Sequence, residues 1–338
     1  MSAAKTSAAL ALSAVGLVAL TVVAFAIGRF PVAPGDFAAV AWAWLSGGTP
    51  DVPATVQTVI LNVRGPRILA AIVIGAVLAA AGAAYQSLFR NPLVSPDILG
   101  VSAGAALGAV LGIFFALDVV FIQALAFACG LAAVATAYFI AARMRGHDPI
   151  LILVLAGVVI GALLGAGVAL IKYLADPYNQ LPAITYWLLG SLSAATRADF
   201  LSVLPAAAGG MAVLWLLRWR ISVLALGDDE AASVGVETGR IRAAVIAAAT
   251  LMTAAAVSIS GVIGWVGLLI PHLARLIVGP DFTRLLPVAT LFGAAFMLAV
   301  DTVARTAGRI ELPLGVLTAV IGTPLFLWLL ATARRSWQ

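Results

Sequence analysis

The chain has 338 residues, of which 63% are hydrophobic, only 10% are charged and 32 are glycine, and its mean hydropathy is +1.13. Apolar runs of about 20 residues at this density exclude a water-soluble core and describe a polytopic helical membrane protein. The net charge of +5 sits in short connections between apolar runs, where Lys and Arg set topology, so it does not signal nucleic-acid binding.

Lys5 precedes the first apolar run, 8–28. That run contains Ala24-Phe25-Ala26, which has the form of a signal-peptidase site, but it is longer than the apolar core of a signal peptide and reads as an uncleaved span. An outer connection, 29–66, follows. Its stretch 36–46 is rich in Ala and Trp and too short to cross; Trp42 and Trp44 suit the headgroup level, which predicts an interfacial helix. Arg64 and Arg67 then stand at the lip of the second span, 67–89. Further spans are predicted at 98–117, 120–142 and 150–172. Gly104, Gly108 and Gly112 fall four apart, as do Gly157, Gly161 and Gly165, which predicts smooth stripes for close helix packing. The lone Cys129 lies inside the fourth span and reads as a small packing residue.

The stretch 183–193, "AITYWLLGSLS", carries Tyr186 and Trp187 and predicts a second short outer helix. The sixth span, 198–217, leads into a polar connection, 218–240, and spans follow at 241–260, 262–278, 286–304 and 312–332. Within the connection, "LALGDDEAASVGV" (224–236) places three acids at the start of an Ala-rich stretch bounded by Gly227 and Gly235. This predicts a compact helix whose N-terminus is stabilised by Asp228, Asp229 and Glu230.

Ten spans place both termini on one side of the membrane. With the N-terminus inside, twelve of the 19 Lys and Arg residues fall inside and seven outside, as the positive-inside rule requires. Arg64, Arg67, Arg305 and Arg309 are on the outer side, against the bias. Two readings stand for them: anchoring to lipid phosphates, or a role on the outer side that rewards them.

The residues that would carry chemistry are few. No glycine is followed by lysine, so there is no phosphate loop, and any nucleotide hydrolysis belongs to another chain. Ionisable candidates for an ion-coupled carrier are Asp301, His272 and Arg275. His147 and His272 are far apart in sequence and the single cysteine offers no cluster, so neither a metal site nor an enzyme active site is predicted.

Five blocks in order resemble the membrane subunit of bacterial ABC importers of the FecCD type, which carry ferric siderophores, haem or vitamin B12. They are "RGPR" (64–67), "GAAYQSLFRNPLVSPDILGVSAGAALG" (82–108), "LALGDDEAASVGV" (224–236), "GVIGWVGLLIPHLARLIVG" (261–279) and "DTVARTAGRIELPLGVLTAVIGTPLFLWLL" (301–330). The resemblance covers essentially the whole chain and implies a single all-α permease domain of ten transmembrane helices in the bacterial inner membrane, with both termini cytoplasmic.

It further implies a homodimer, two cytoplasmic ATPase subunits that hold ATP and Mg, a periplasmic substrate-binding protein, and no cofactor on this chain. By motif, Arg64, Arg67 and Arg305 would pair as exposed rim charges with glutamates of the binding protein, and Arg309 extends that set. Leu226, Gly227, Asp228, Asp229, Glu230, Ala231 and Gly235 would form the coupling segment in a groove of the ATPase. Asn91, Pro92 and Leu93 match a cytoplasmic gate. A second gate would lie near Asp148 to Leu151, where the small hydroxyl residues of some relatives are missing.

Gly157 and Gly161 of span five, Tyr186 and Trp187 of the outer helix, and Gly315 and Gly322 of span ten would line the path. The function implied is import of an iron chelate by ATP-driven alternating access, or of cobalamin by the same machinery. From a different class, an ion-coupled secondary transporter stands as the alternative, and a non-transporting sensor or scaffold as a third.

Overall fold

Only helices and their connections occur among the residues that the computed structural model describes, 3–28, 30, 32–144 and 149–333. His147 and Asp148, and the side chains of Lys5 and Trp44, lie outside them. The outer connection is more structured than its composition suggests. Helix α1 (Ala3–Ala26) is followed by α2 (Pro34–Ser46), α3 (Ala54–Thr58) and a π turn (Val59–Arg64) that runs directly into α4 (Gly65–Leu88). The predicted outer helix at 36–46 is therefore present as α2, with Pro34 at its start, Gly47 closing it at φ +71° and Trp42 exposed.

Arg64 and Arg67 consequently lie within a continuous helical stretch, not at the lip of a span. The widened turn explains how: Pro66 lacks an N–H, and the Gly65 N–H reaches back to the Ile60 carbonyl across a five-residue turn.

A 3-10 turn (Pro96–Leu99) leads to α5 (Val101–Phe114), then α6 (Val119–Arg143), α7 (Pro149–Leu174), α8 (Gln180–Leu189), α9 (Arg197–Leu224), α10 (Asp228–Ser233), α11 (Thr238–Ser260), α12 (Val266–Val278), α13 (Phe282–Thr306) and α14 (Leu314–Ala333). Each of the ten predicted apolar runs is helical over most of its length. Seven of the resulting helices are long and apolar enough to cross a membrane, the stretch Ala54–Leu88 acting as one. The other three, α5, α12 and the apolar part of α14, are shorter.

At 14 and 13 residues, α5 and α12 extend only about 20 Å, against a hydrocarbon core of about 30 Å. The 3-10 turn Pro96–Leu99 leads into α5, and irregular backbone at 261–265 leads into α12. Such backbone is tolerated at depth only where protein covers it, and Pro96, Leu99, Gly261 and Ile263 are buried.

Helix α4 is the axis of the bundle, buried along nearly its whole length against α13, α11, α12 and α9. Two neighbours come close enough to need glycine: a Cβ on either Gly75 or Gly293 of α13 would sit 2.2 Å from the carbonyl oxygen of the other, and a Cβ on Gly82 would sit 1.9 Å from the Gly267 carbonyl oxygen of α12. The first predicted glycine stripe does the same work between α5 and α6, where Gly104 and Gly108 abut the carbonyls of Cys129 and Leu125. The second stripe does so only at Gly157, against Ile98 and Leu99; no atom lies within 4 Å of a Cβ at Gly165. The faces of α7 and α14 that carry Leu155, Val159, Leu163, Val316, Val320 and Leu327 remain exposed.

Candidate functional site

The arginines expected at an exposed outer rim are buried. Arg64, Arg67 and Arg305 are 5%, 8% and 7% exposed. Asp301, fully buried on α13, is their centre: the Arg67 Nε donates to its Oδ1 at 2.9 Å, and the Arg305 Nε lies 3.2 Å from its Oδ2. Arg67 also donates through Nη1 to Glu311 at 3.0 Å, in the connection between α13 and α14. The remaining donors close off α1. Arg64 donates to the Phe25 and Phe30 carbonyls, and the Arg305 Nη2 donates to the Ala24 carbonyl at 3.1 Å.

Carbonyls in the last turn of a helix lack intrahelical partners and carry the negative end of the dipole, so guanidinium groups suit them. Three arginines and two carboxylates thus fasten the C-terminal ends of α1 and α13, the start of α4 and the approach to α14. The expectation of solvent-facing arginines is corrected by the partner it lacked, Asp301, which the sequence offered only as a candidate for ion coupling. Arg309, by contrast, is exposed.

At the opposite end, α10 is the predicted compact helix. It begins after Gly227, whose φ of +152° and ψ of 160° belong to a region that glycine alone occupies readily. It ends in a Schellman motif. The Gly235 N–H bonds to the Ala232 carbonyl at 3.0 Å and the Val236 N–H to the Ala231 carbonyl at 2.9 Å, with Gly235 at φ +78°. Ala231 and Val236 are buried beneath it, while Leu226, Asp229, Glu230 and Val234 face outward.

Asp228 ties α10 to α11 through Arg242 at 2.9 Å. The C-terminal end of α9 is tied in turn to α13, since the Ser222 hydroxyl donates to the Asp281 carboxylate at 2.9 Å. Asp281 caps α13 by accepting from the Thr283 N–H and hydroxyl. Burial pushes its carboxyl up, but the bonds from Thr283 and Ser222 and the charge of Arg284 together hold it below the usual carboxylate range.

Asn91, Pro92 and Leu93 form a turn at the end of α4. The Asn91 N–H returns to the Gln86 carbonyl, Arg90 takes φ +50°, and the Asn91 side chain accepts from the Leu93 N–H at 2.9 Å, leaving Leu93 half exposed. The turn displays one apolar side chain on a rigid base.

Of the predicted path residues, Tyr186 is exposed on α8, its hydroxyl 2.7 Å from Ser193 Oγ and 3.0 Å from Ser191 Oγ; Trp187 is partly buried. Gly161 is partly buried. Gly157, Gly315 and Gly322 are packing positions. A Cβ at Gly315 would meet the Leu189 and Val262 carbonyls, and one at Gly322 the Trp265 side chain. The backbones of α8, the 261–265 stretch and α14 meet there directly, with the Ser191 N–H bonded to the Ser260 carbonyl and the Leu314 N–H to the Gly190 carbonyl.

The chain matches the FecCD transport family over residues 16–332. It is 43% identical over 280 residues to the cobalamin import system permease protein BtuC of Halobacterium salinarum, covering 82% of this chain and 75% of that one. It is 38% identical over 312 residues to the molybdate import system permease protein MolB of Haemophilus influenzae, covering 92% and 91%. Among solved structures, an inward-facing conformation of a transporter assigned to the metal-chelate ABC type matches with a TM-score of 0.86 and 36% identity, over 96% of this chain and 98% of the other. The chain is a multi-pass membrane protein of the ABC importer permease kind, and it belongs to the FecCD transport family.

Proposed function

We propose that the chain is the permease subunit of an importer that moves an iron chelate, haem or a ferric siderophore, from periplasm to cytoplasm by ATP-driven alternating access. The observation that carries this reading is α10, a glycine-bounded, capped helix standing outward from the inner end of a bundle that belongs to a transport family. A six-residue helix closed at both ends and braced by Asp228 to Arg242 moves as a rigid body, as a coupling element must.

In this scheme two copies of the chain face each other across the path, in the inner membrane with both termini cytoplasmic. Two ATPase subunits bind ATP and Mg and press on α10, while Leu93 lies at the inner gate. This chain binds no cofactor and carries out no hydrolysis. A periplasmic binding protein docks at the outer side, where one of its glutamates reaches Arg67 by displacing Glu311, the one acid of the cluster with a partly exposed side chain. The same machinery with cobalamin as cargo is a second reading, favoured by the similarity to BtuC. Relatives named for cobalamin and for molybdate at comparable identity support a cargo choice made by the binding protein.

Isolation of the chain from native membranes in mild detergent, followed by assay for an accompanying ATPase, tests the proposal. A stoichiometric ATPase stimulated by a haem- or siderophore-loaded binding protein is the expected result; stimulation by the cobalamin-loaded protein alone would select the second reading. No ATPase, with uptake that follows a proton or sodium gradient, would replace both with an ion-coupled carrier.

A further inference from the structure

A groove of about 820 Å3 opens between α6, α9 and α11. Its walls include Leu131, Ala135 and Tyr138 of α6, Gly209 and Val213 of α9, and Ala247 of α11. The volume lies in the range of ligand pockets, about 300–1,000 Å3, and the lining is almost entirely aliphatic. Thr250, a polar residue of the wall, already shares a hydrogen bond of 3.0 Å with the Tyr85 hydroxyl. Gly209 leaves the space open, since a Cβ there would meet no atom within 4 Å. Along α11 the groove runs from Ala243 to Leu251, about 12 Å. A partner's transmembrane helix needs about 30 Å of contact along its length, whereas an acyl chain fits a groove confined to one leaflet.

The charge at its mouth identifies the rest of the guest. Arg220 follows Gly209 by eleven residues and Val213 by seven, so it continues their face of α9; Arg240 precedes Ala247 by seven and Leu251 by eleven, continuing theirs on α11. The two helices are in register, because a Cβ on Gly210 would lie 2.9 Å from the Ala248 carbonyl. From that level Arg220 and Arg240 lie about 15 Å and about 12 Å toward the same end.

Both are exposed. Arg220 has no hydrogen bond or ion pair among the described residues, and Arg240 pairs only with exposed Glu237, a bond weak enough to exchange. Tyr138, partly exposed, is the one aromatic side chain of the wall.

We propose that this groove is a site for an anionic phospholipid, one acyl chain lying between α6, α9 and α11 and the phosphate held by Arg220 and Arg240. Guanidinium groups match phosphate oxygens bidentately. The leaflet is the one that faces α10; only its assignment to the cytoplasmic side rests on the permease reading.

The test is native mass spectrometry of the purified chain, with whatever subunits accompany it, in detergent containing equal amounts of dioleoylphosphatidylglycerol and dioleoylphosphatidylcholine. The wild type should retain phosphatidylglycerol in preference. Arg220→Gln and Arg240→Gln should each reduce that preference about fivefold, and Ala247→Phe should fill the groove and reduce retention of both lipids. Because the two arginines are exposed, their variants should unfold at the wild-type temperature, which separates lost binding from lost fold. Equal retention of the two lipids by the wild type, or a preference that survives in the arginine variants and in Ala247→Phe, would overturn the site; so would a small membrane protein displaced by Ala247→Phe. The readout uses neither ATP nor transport, so it stands or fails apart from the importer proposal.

Discussion

Asp301 is buried with no exposed surface, yet two guanidinium groups lie within 3.2 Å of its oxygens. Removing one partner of a buried charge set leaves the others uncompensated, which costs about 3–5 kcal/mol. Asp301→Ala should therefore lower stability by that amount in cooperative unfolding in mixed detergent. Glu311→Ala, which removes a part-exposed acid from the same Arg67, should cost about 1 kcal/mol or less.

Asp281 behaves differently because its carboxyl is held below the ordinary value. Its stabilising contribution is present above the unfolded carboxylate value, about 4, and is lost as pH falls through the lower folded value. The stability gap between the wild type and Asp281→Asn should be constant from pH 5 to 7 and close below pH 4, as read by thermal unfolding. The i,i+4 spacing of Asp301 and Arg305 was visible in the sequence. The bond from Arg67 to Asp301 was not, since 234 positions separate them and nothing in either segment names the other.

At the scale of the element, α10 was the most legible part of the chain. Glycines at both ends, acids in the first turn and alanines behind them constrain backbone and charge locally, and local constraints are what a sequence displays. The same locality makes α10 testable. Gly235 sits at φ +78° as the left-handed residue of the Schellman motif, where a Cβ costs about 1–2 kcal/mol. Gly235→Ala should raise amide hydrogen exchange across 228–236 about five- to thirtyfold while leaving α9 and α11 unchanged.

The shortness of α12 was not legible. The run 262–278 carries no ionisable residue before His272, and hydropathy does not distinguish helix from covered irregular backbone. What starts the helix at Val266 is tertiary: Trp265 takes φ +72°, its ring packs edge-on against Phe326 at 6.1 Å and its side chain abuts Gly322, so α14 packs where α12 begins. The π turn before α4 has a local cause in Pro66, but its effect, drawing Arg64 inward beneath the end of α1, depends on α1 being there.

For the whole molecule, the decisive contrast is between α4, almost entirely buried, and α7 and α14, whose apolar faces have no cover within the chain. Lipid satisfies such faces as well as protein does, so hydropathy alone says nothing of a second copy. The distribution of small residues says more. Gly165 continues the stripe of Gly157 and Gly161 beyond the point where the chain's own backbone, at Ile98 to Gly100, fills it, leaving a smooth strip on α7 that a close helix would occupy.

A homodimer with α7 and α14 around a shared path places that strip and the exposed Val320 of α14 at the interface. Gly165→Cys and Val320→Cys, each introduced singly with Cys129 replaced by Ala, should therefore give disulfide-linked dimers in native membranes under mild oxidation. Leu216→Cys, on the exposed face of α9, should remain monomeric under the same conditions. Crosslinking at Leu216 but not at Gly165 or Val320 would place the second copy on the α9 side, over the proposed lipid groove, and leave α7 and α14 to the bilayer. The pattern of the three cysteines thus assigns one face of the bundle to the path and the other to lipid.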